Sequence, residues 1–295
     1  MKKIIFIITC AFFVVSCTRK ESTVGEIANP VVIGLSKPYF EKLSKDDIKL
    51  LEEKIIKDTG YDVVIKKFND SVELIKHLGS KRVDIAFITL NEYLIAREEY
   101  GVNPILSVIR NGKKEYYGVI ATLDDNIKSI VMLNGKKFVS RSPYSVSGFV
   151  LPSILFYKAN IKVDFIFTDS FEESYKMLKE KKADAGGFYK NFIKDHKDLK
   201  VIYEIGPIPN EAVVARRTLK KEIVEKLKNE IISLSNNGDF SAVLKKMADI
   251  DGFSDANVSD YLEIHNVIKN YSSGIYSLIP EGISIKKLNE DYTFN

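Results

Sequence analysis

Tryptophan is absent from this 295-residue chain, histidine occurs three times and cysteine twice. With so few thiols there is no disulfide framework and no cysteine-based metal site. His77, His196 and His265 are far apart in sequence and none stands in an HExxH pattern, so no metal site is expected. GxSxG and Walker A loops are missing as well. No segment sets a nucleophile beside a base and an orienting group, so neither a catalytic residue nor a cofactor is expected. Asp124-Asp125 reads as the start of a turn, Asp184 as a structural residue near a strand start, and His77 as a half-buried or surface residue. Charge of one sign is also lacking: 44 Lys and Arg stand against 40 Asp and Glu, a net +4. A nucleic-acid partner, which calls for clustered basic surface, is not expected. Lys181-Lys182 and Lys220-Lys221 read as solvated helix ends.

The amino end is the sharpest local signal. Lys2-Lys3 precede an apolar run from Ile4 to Val15. That run is too short to span a bilayer, which takes roughly 20 residues, and it reads as a secretory signal. It ends in Val14-Val15-Ser16-Cys17, which resembles the bacterial lipobox, where the cysteine thiol takes a diacylglyceryl group. Cys10 lies inside the apolar run and would leave with it. The other reading is a plain cleaved signal with an incidental cysteine. Residues 1–16 are thus expected as signal peptide and 17–30 as a polar, lipidated tether. The body is expected outside the inner membrane, anchored by lipid and facing the periplasm or the cell exterior.

The rest is long enough for two domains, and its 45% hydrophobic and 28% charged residues suit a globular body. Short apolar runs alternate with amphipathic segments. Val31–Leu35 reads as a strand. Ser44 with Asp47 forms a capping box for a helix closed by Gly60. Asp62–Phe68, Val83–Thr89, Pro104–Arg110 and Tyr116–Leu123 read as strands; Asp70 caps a short helix, and Asn91–Tyr100 is another. The alternation restarts near Lys136, with strands at Lys137–Ser140, Val163–Thr168, Ala183–Phe188 and Leu199–Ile205. Helices fall near Ser147–Lys158 and at Phe171–Lys181. Gly206 to Asn210 is a breaker cluster, Glu211–Arg217 a strand, and Thr218 the cap of a long helix. The remainder looks helical to about Asn270. The pattern predicts an α/β protein with parallel-rich sheets covered by helices. No internal repeat is visible in the sequence.

Six segments resemble the phosphate/phosphite/phosphonate-binding family of periplasmic receptors of ABC transporters. They are Val83–Phe87 (VDIAF), Arg110–Lys113 (RNGK), the stretch from Ile127 to Lys136, Ser145–Pro152 (SVSGFVLP), Lys182–Gly186 (KADAG) and Pro207–Asn210 (PIPN). The resemblance implies a type II periplasmic binding protein: two lobes, each a mixed sheet covered by helices, joined by two hinge crossings. Lobe 1 would be residues 31–119 plus 213–295, and lobe 2 residues 120–212. It also implies a small-molecule ligand, an ABC permease as partner and no enzymatic activity. The alternative is a surface or sensor lipoprotein with the same fold and no permease.

In that family the ligand sits in the cleft, and the helix start at Ser145, Val146, Ser147 and Gly148 falls there. A helix amino end offers unpaired N–H groups to an anion, and the serines add hydroxyls; the plain reading is an ordinary N-cap. The remaining candidates are Tyr39, Ser71, Ile88, Thr89, Phe171 and Tyr189. Several depart from the family pattern. Val146 replaces a threonine, Phe171 a histidine, Tyr189 an acid or amide, and Ser71 and Ile88 tyrosines. Each hydrogen bond to a charged group contributes roughly 1.5–3 kcal/mol. Two lost without replacement would weaken a phosphonate by roughly a hundredfold to over ten-thousandfold. Tyr39, Tyr144 and Tyr189 either rebuild a site for a larger, ring-bearing or less charged organic anion or are plain packing residues.

Overall fold

The structure, a computed structural model, describes residues 23–143 and 145–271. The expected signal peptide, the lipidation at Cys17, Tyr144 and residues 272–295 lie outside the described residues. The first half runs β1 (Val31–Ser36), α1 (Lys37–Phe40), α2 (Lys45–Thr59), β2 (Val63–Phe68), α3 (Ser71–Gly79), β3 (Ile85–Phe87), α4 (Leu90–Tyr100) and β4 (Asn103–Ile109). The second runs β5 (Glu115–Thr122), β6 (Lys136–Ser140), α5 (Leu151–Lys158), β7 (Val163–Phe167), α6 (Phe171–Lys179), β8 (Ala185–Tyr189), α7 (Phe192–Asp195) and β9 (Lys200–Pro209). The chain then returns through β10 (Ala212–Ala215), α8 (Lys221–Ser235), α9 (Gly238–Lys246), β11 (Gly252–Asp255) and α10 (Val258–Tyr271).

Local signals place several of these ends. Ser44 and Asp47 close a full capping box, with Ser44 N donating to Asp47 Oδ2 at 2.8 Å. Gly60 ends α2 at φ 68°, a conformation glycine adopts without a Cβ penalty. Asp70 accepts from Glu73 N at the start of α3.

Two mixed sheets result, ordered β11-β4-β10-β3-β1-β2 and β7-β6-β8-β5-β9. In each, three parallel strands continue into antiparallel ones that arrive from or leave for the other sheet. The boundary expected between Val119 and Ile120 falls inside β5; the change of sheet comes earlier, between Ile109 and Glu115. Asn210 ties both crossings together. Its Nδ2 donates to Val108 O (3.0 Å) and Lys113 O (2.8 Å), and its N to Lys114 O (2.7 Å).

Some expected elements differ. Helix α8 starts at Lys221 rather than after Thr218, whose hydroxyl instead accepts from Arg216 Nη1 at 2.6 Å. Strand β11 interrupts what reads as a helical tail, because it completes the edge of the first sheet beside β4. The breaker cluster lies largely inside β9, a sheet-edge strand, where proline costs little because a row of N–H groups has no partner.

The sequence shows no repeat, but the architecture does. The units β1-α2-β2-α3-β3 and β6-α5-β7-α6-β8 have the same strand order and the same parallel pairing. Arg82 N donates to His77 O and Lys182 N to Met177 O, both at 2.9 Å. Lys81 and Lys181 take the left-handed conformation in the same turn. Asp84 N bonds Val32 O and Asp184 N bonds Lys137 O, again both at 2.9 Å. This correspondence makes Ser71 the counterpart of Phe171, Thr89 of Tyr189, and Ser36 of Arg141.

Candidate ligand-binding cleft

The carboxyl ends of β1, β2, β3, β6, β7 and β8 carry the expected site residues, as open α/β sheets place them. Around Ser145 the chain does not enter an ordinary helix. Val146–Val150 forms one wide turn, with Val150 N and Leu151 N each reaching five residues back, to Ser145 O and Val146 O. Such turns recur at functional sites. Ser145 caps it, its Oγ accepting from Gly148 N at 3.0 Å. Glycines let the turn lie on the sheet. A Cβ at Gly187 of β8 would stand 2.3 Å from the Gly148 carbonyl oxygen, and one at Gly118 of β5 2.8 Å from Ser147 Cβ.

Ser147 is buried against β5, close to the Tyr116 phenol. Burial, and then the nearby Glu211 carboxylate, push the Tyr116 phenol well above its ordinary value, so it remains a neutral donor. Tyr39 behaves alike: burial first, then Glu211, raise it, and its hydroxyl donates to Ile88 O at 3.2 Å. Arg110 pairs with Glu211 and donates through Nε to Ala248 O at 2.6 Å. Thus Tyr39, Arg110 and Glu211 of one half approach Tyr116 and Ser147 of the other. An apolar cluster also joins them, including Leu74, Tyr93 and Tyr261 on one side and Val146, Phe149 and Ile208 on the other.

The other candidates fall into two groups. Ser71 and Thr89 spend their polar groups on Glu92, which takes the Ser71 hydroxyl and, at 2.7 Å, the Thr89 N–H. Ile88 is wholly buried. Phe171 and Tyr189 sit edge to face at 5.0 Å in an aromatic group with Phe188 and Phe192. The Arg141 guanidinium lies 5.4 Å over the Phe171 ring. Burial, then Asp249 of the first half, raise the Tyr189 phenol, and Arg141 partly offsets this.

Sequence reasoning missed Arg110, Tyr116, Arg141 and Glu211, and with them Ser36 and Asn91. The last two are fully buried, and Ser36 Oγ and both side-chain polar atoms of Asn91 have no partner among the described residues. Arg110 stands in the RNGK motif, which reads as a turn, and Glu211 directly follows PIPN, which reads as the second crossing; that place was the available signal. Elsewhere Asp184 is structural, as expected: its Oδ2 accepts from Lys137 N at 2.9 Å. Among the described residues there is no cluster of metal-ligating side chains, and no helix is long and apolar enough to cross a membrane.

Two mixed sheets, double crossings and polar groups gathered at the strand ends define a type II periplasmic binding protein. The family model for the phosphonate periplasmic substrate-binding protein of ABC transporters matches residues 41–261, and the chain belongs to that family. Solved structures share the fold at low identity. A Xanthomonas citri protein bound to ATP superposes with TM-score 0.72 at 17% identity, covering 85% of this chain and 98% of its own. A binding protein component of an ABC phosphonate transporter from Pseudomonas aeruginosa gives 0.66 at 19%, covering 87% and 96%. PhnD1 from Prochlorococcus marinus in complex with methylphosphonate gives 0.63 at 17%, covering 81% and 97%. The family consists of substrate-binding receptors, not enzymes, that work with an ABC permease.

Proposed function

We propose that the chain is a lipid-anchored receptor of an ABC importer whose cleft holds an organic anion larger than phosphite or methylphosphonate. The observation that carries this reading is the wide turn at Ser145–Gly148 beside the Tyr116 phenol, with apolar Val146 in the turn and the Phe171–Tyr189 aromatic pair at the carboxyl-end side of the same sheet. The turn suits an oxyanion. The apolar side chains suit an attached organic body, whose burial contributes about 25 cal/mol per Å². Related folds hold ligands of both sizes: methylphosphonate in the Prochlorococcus protein and ATP in the Xanthomonas protein.

The lobes would be built on the two sheets, with hinges at the Asn210-tied crossings, and would close around the ligand. Two lines of support favour the anchor: the lipobox-like Val14–Cys17 and the family's place in import. Palmitate labelling of the wild type, lost in Cys17→Ala, tests it.

A thermal-shift screen of the delipidated body against organic anions, nucleotides and carboxylates tests the receptor, since a ligand that binds only the folded state raises the melting point. Submicromolar binding of methylphosphonate in calorimetry would refute the altered specificity. Binding without ligand uptake by cells carrying the neighbouring permease would point to a sensor or surface lipoprotein instead.

A further inference from the structure

We infer that Arg141 is the anion anchor of the cleft, its guanidinium laid on Phe171 and presented to the oxyanion of an organic ligand. The inference rests on the receptor reading above and names the residue that sets its ligand chemistry.

Arg141 follows the last residue of β6, at the carboxyl end of the central parallel strand of the second sheet. Its counterpart in the first sheet is Ser36, whose buried hydroxyl has no partner among the described residues. Both halves therefore place at the same structural position a polar group that has no hydrogen-bond partner among the described residues.

Two other arginines near the strand ends and crossings have a carboxylate, and Arg97 gives its Nη1 to Tyr93 Oη at 3.3 Å. Arg110 pairs with Glu211, and Arg216 with Asp84 at 2.7 Å. Arg141 is partly buried and forms no ion pair among the described residues. The carboxylates near the cleft are engaged or lie further off. Glu92 takes the Ser71 hydroxyl and the Thr89 N–H, and Glu211 has Arg110. Asp249, Glu172 and Asp195 act on the Tyr189 phenol from beyond ion-pair distance of Arg141. A cation withdrawn from water without a counter-charge is unfavourable, and an incoming anion removes that penalty.

Geometry fits the role. The guanidinium carbon lies 5.4 Å from the centre of the Phe171 ring, within cation–π reach. A planar fork held this way offers two parallel N–H groups to a carboxylate or phosphonate, which an ammonium does not. The phenols of Tyr116 and Tyr189 both lie within the field of Arg141, and Ser147 lies close to Tyr116. So the ring that stands where the family has histidine removes one donor and supports a stronger one.

The probe is phenylphosphonate, an oxyanion on a ring, with its uncharged diethyl ester as control, titrated calorimetrically into the delipidated wild type and into Arg141→Gln, Arg141→Lys and Ser147→Ala. The wild type should bind the anion and not the ester. Arg141→Gln should weaken binding by roughly 10- to 100-fold, the loss of one hydrogen bond to a charged group. Arg141→Lys should retain part of it. The melting points of both variants without ligand should stay close to the wild type, because the lost contact with the Phe171 ring is offset by relief of a cation without a counter-charge among the described residues.

Equal affinity of Arg141→Gln and wild type overturns the inference, as does a wild type that ignores phenylphosphonate at about 10 mM, an affinity weaker than roughly −3 kcal/mol. If Ser147→Ala weakens binding while Arg141→Gln does not, the cleft stands and Arg141 falls. The receptor reading fails by a different result, a screen in which no compound shifts the melting point.

Discussion

Asp84 and Asp184 make the same hydrogen bonds in the two halves of the molecule but stand in different surroundings. Each accepts the N–H of the neighbouring strand, Val32 or Lys137, at 2.9 Å. Asp84 is 4% exposed and its other oxygen meets Arg216 at 2.7 Å. The Asp184 side chain is 36% exposed, and Lys136 approaches it at only 3.6 Å. Topology demands an acceptor at this position, where a loop enters the central parallel strands. How much that acceptor contributes is set by the water around it: a buried pair broken on one side leaves an uncompensated charge, and an exposed one is simply rehydrated.

The largest expected effect follows directly. Asp84→Ala should destabilise the protein by about 3–5 kcal/mol in urea unfolding, because Arg216 is left buried and unpaired. Next is the close contact under the candidate anion seat. Gly187→Ala sets a Cβ against the backbone of Gly148, which has nowhere to go, and should cost about 2–3 kcal/mol and weaken ligand binding. In the first half, Gly34→Ala meets the Leu74 and Val83 side chains rather than backbone, and should cost less in the same measurement.

A pH titration sharpens the contrast between buried and exposed carboxylates. The Lys246 ammonium, and then Ser44, hold the Asp47 carboxyl down from its ordinary 3.8 to about 2. A group depressed in the folded state contributes stability above its unfolded value and loses it as pH falls through the folded one. Asp47→Asn should therefore flatten the fall in stability between pH 3.8 and 2, by about 1–2 kcal/mol, seen in urea unfolding at each pH. The smallest effect is Asp184→Ala, expected to cost about 1 kcal/mol or less. Equal losses for Asp84→Ala and Asp184→Ala would break the comparison.

Much of the local structure was legible. Ser44, Asp70 and Gly60 cap helices through contacts three or four residues away, so the sequence carries them without reference to the rest of the chain. The wide turn after Ser145 was legible as a helix start but not as a five-residue turn. That form depends on Gly148 fitting against Gly187, 39 positions later. Strand β11 was read as helix because its pairing with β4 crosses well over a hundred residues.

The candidate site divides in the same way. Ser147, Gly148, Phe171 and Tyr189 were found through motifs and their spacing. Arg141 and Ser36 were not, since a lone arginine or serine after a strand carries no signal until its neighbours are known.

By itself, the sequence determined the alternation of strands and helices, their caps and the family motifs, because these rest on interactions within a few residues and on residue types in order. Only the tertiary structure decided which sheet each crossing strand joins, that the two halves repeat one architecture, and that Arg110 and Arg216 are paired while Arg141 forms no ion pair among the described residues. Those facts depend on groups brought together from distant positions, and on how much water is left between them.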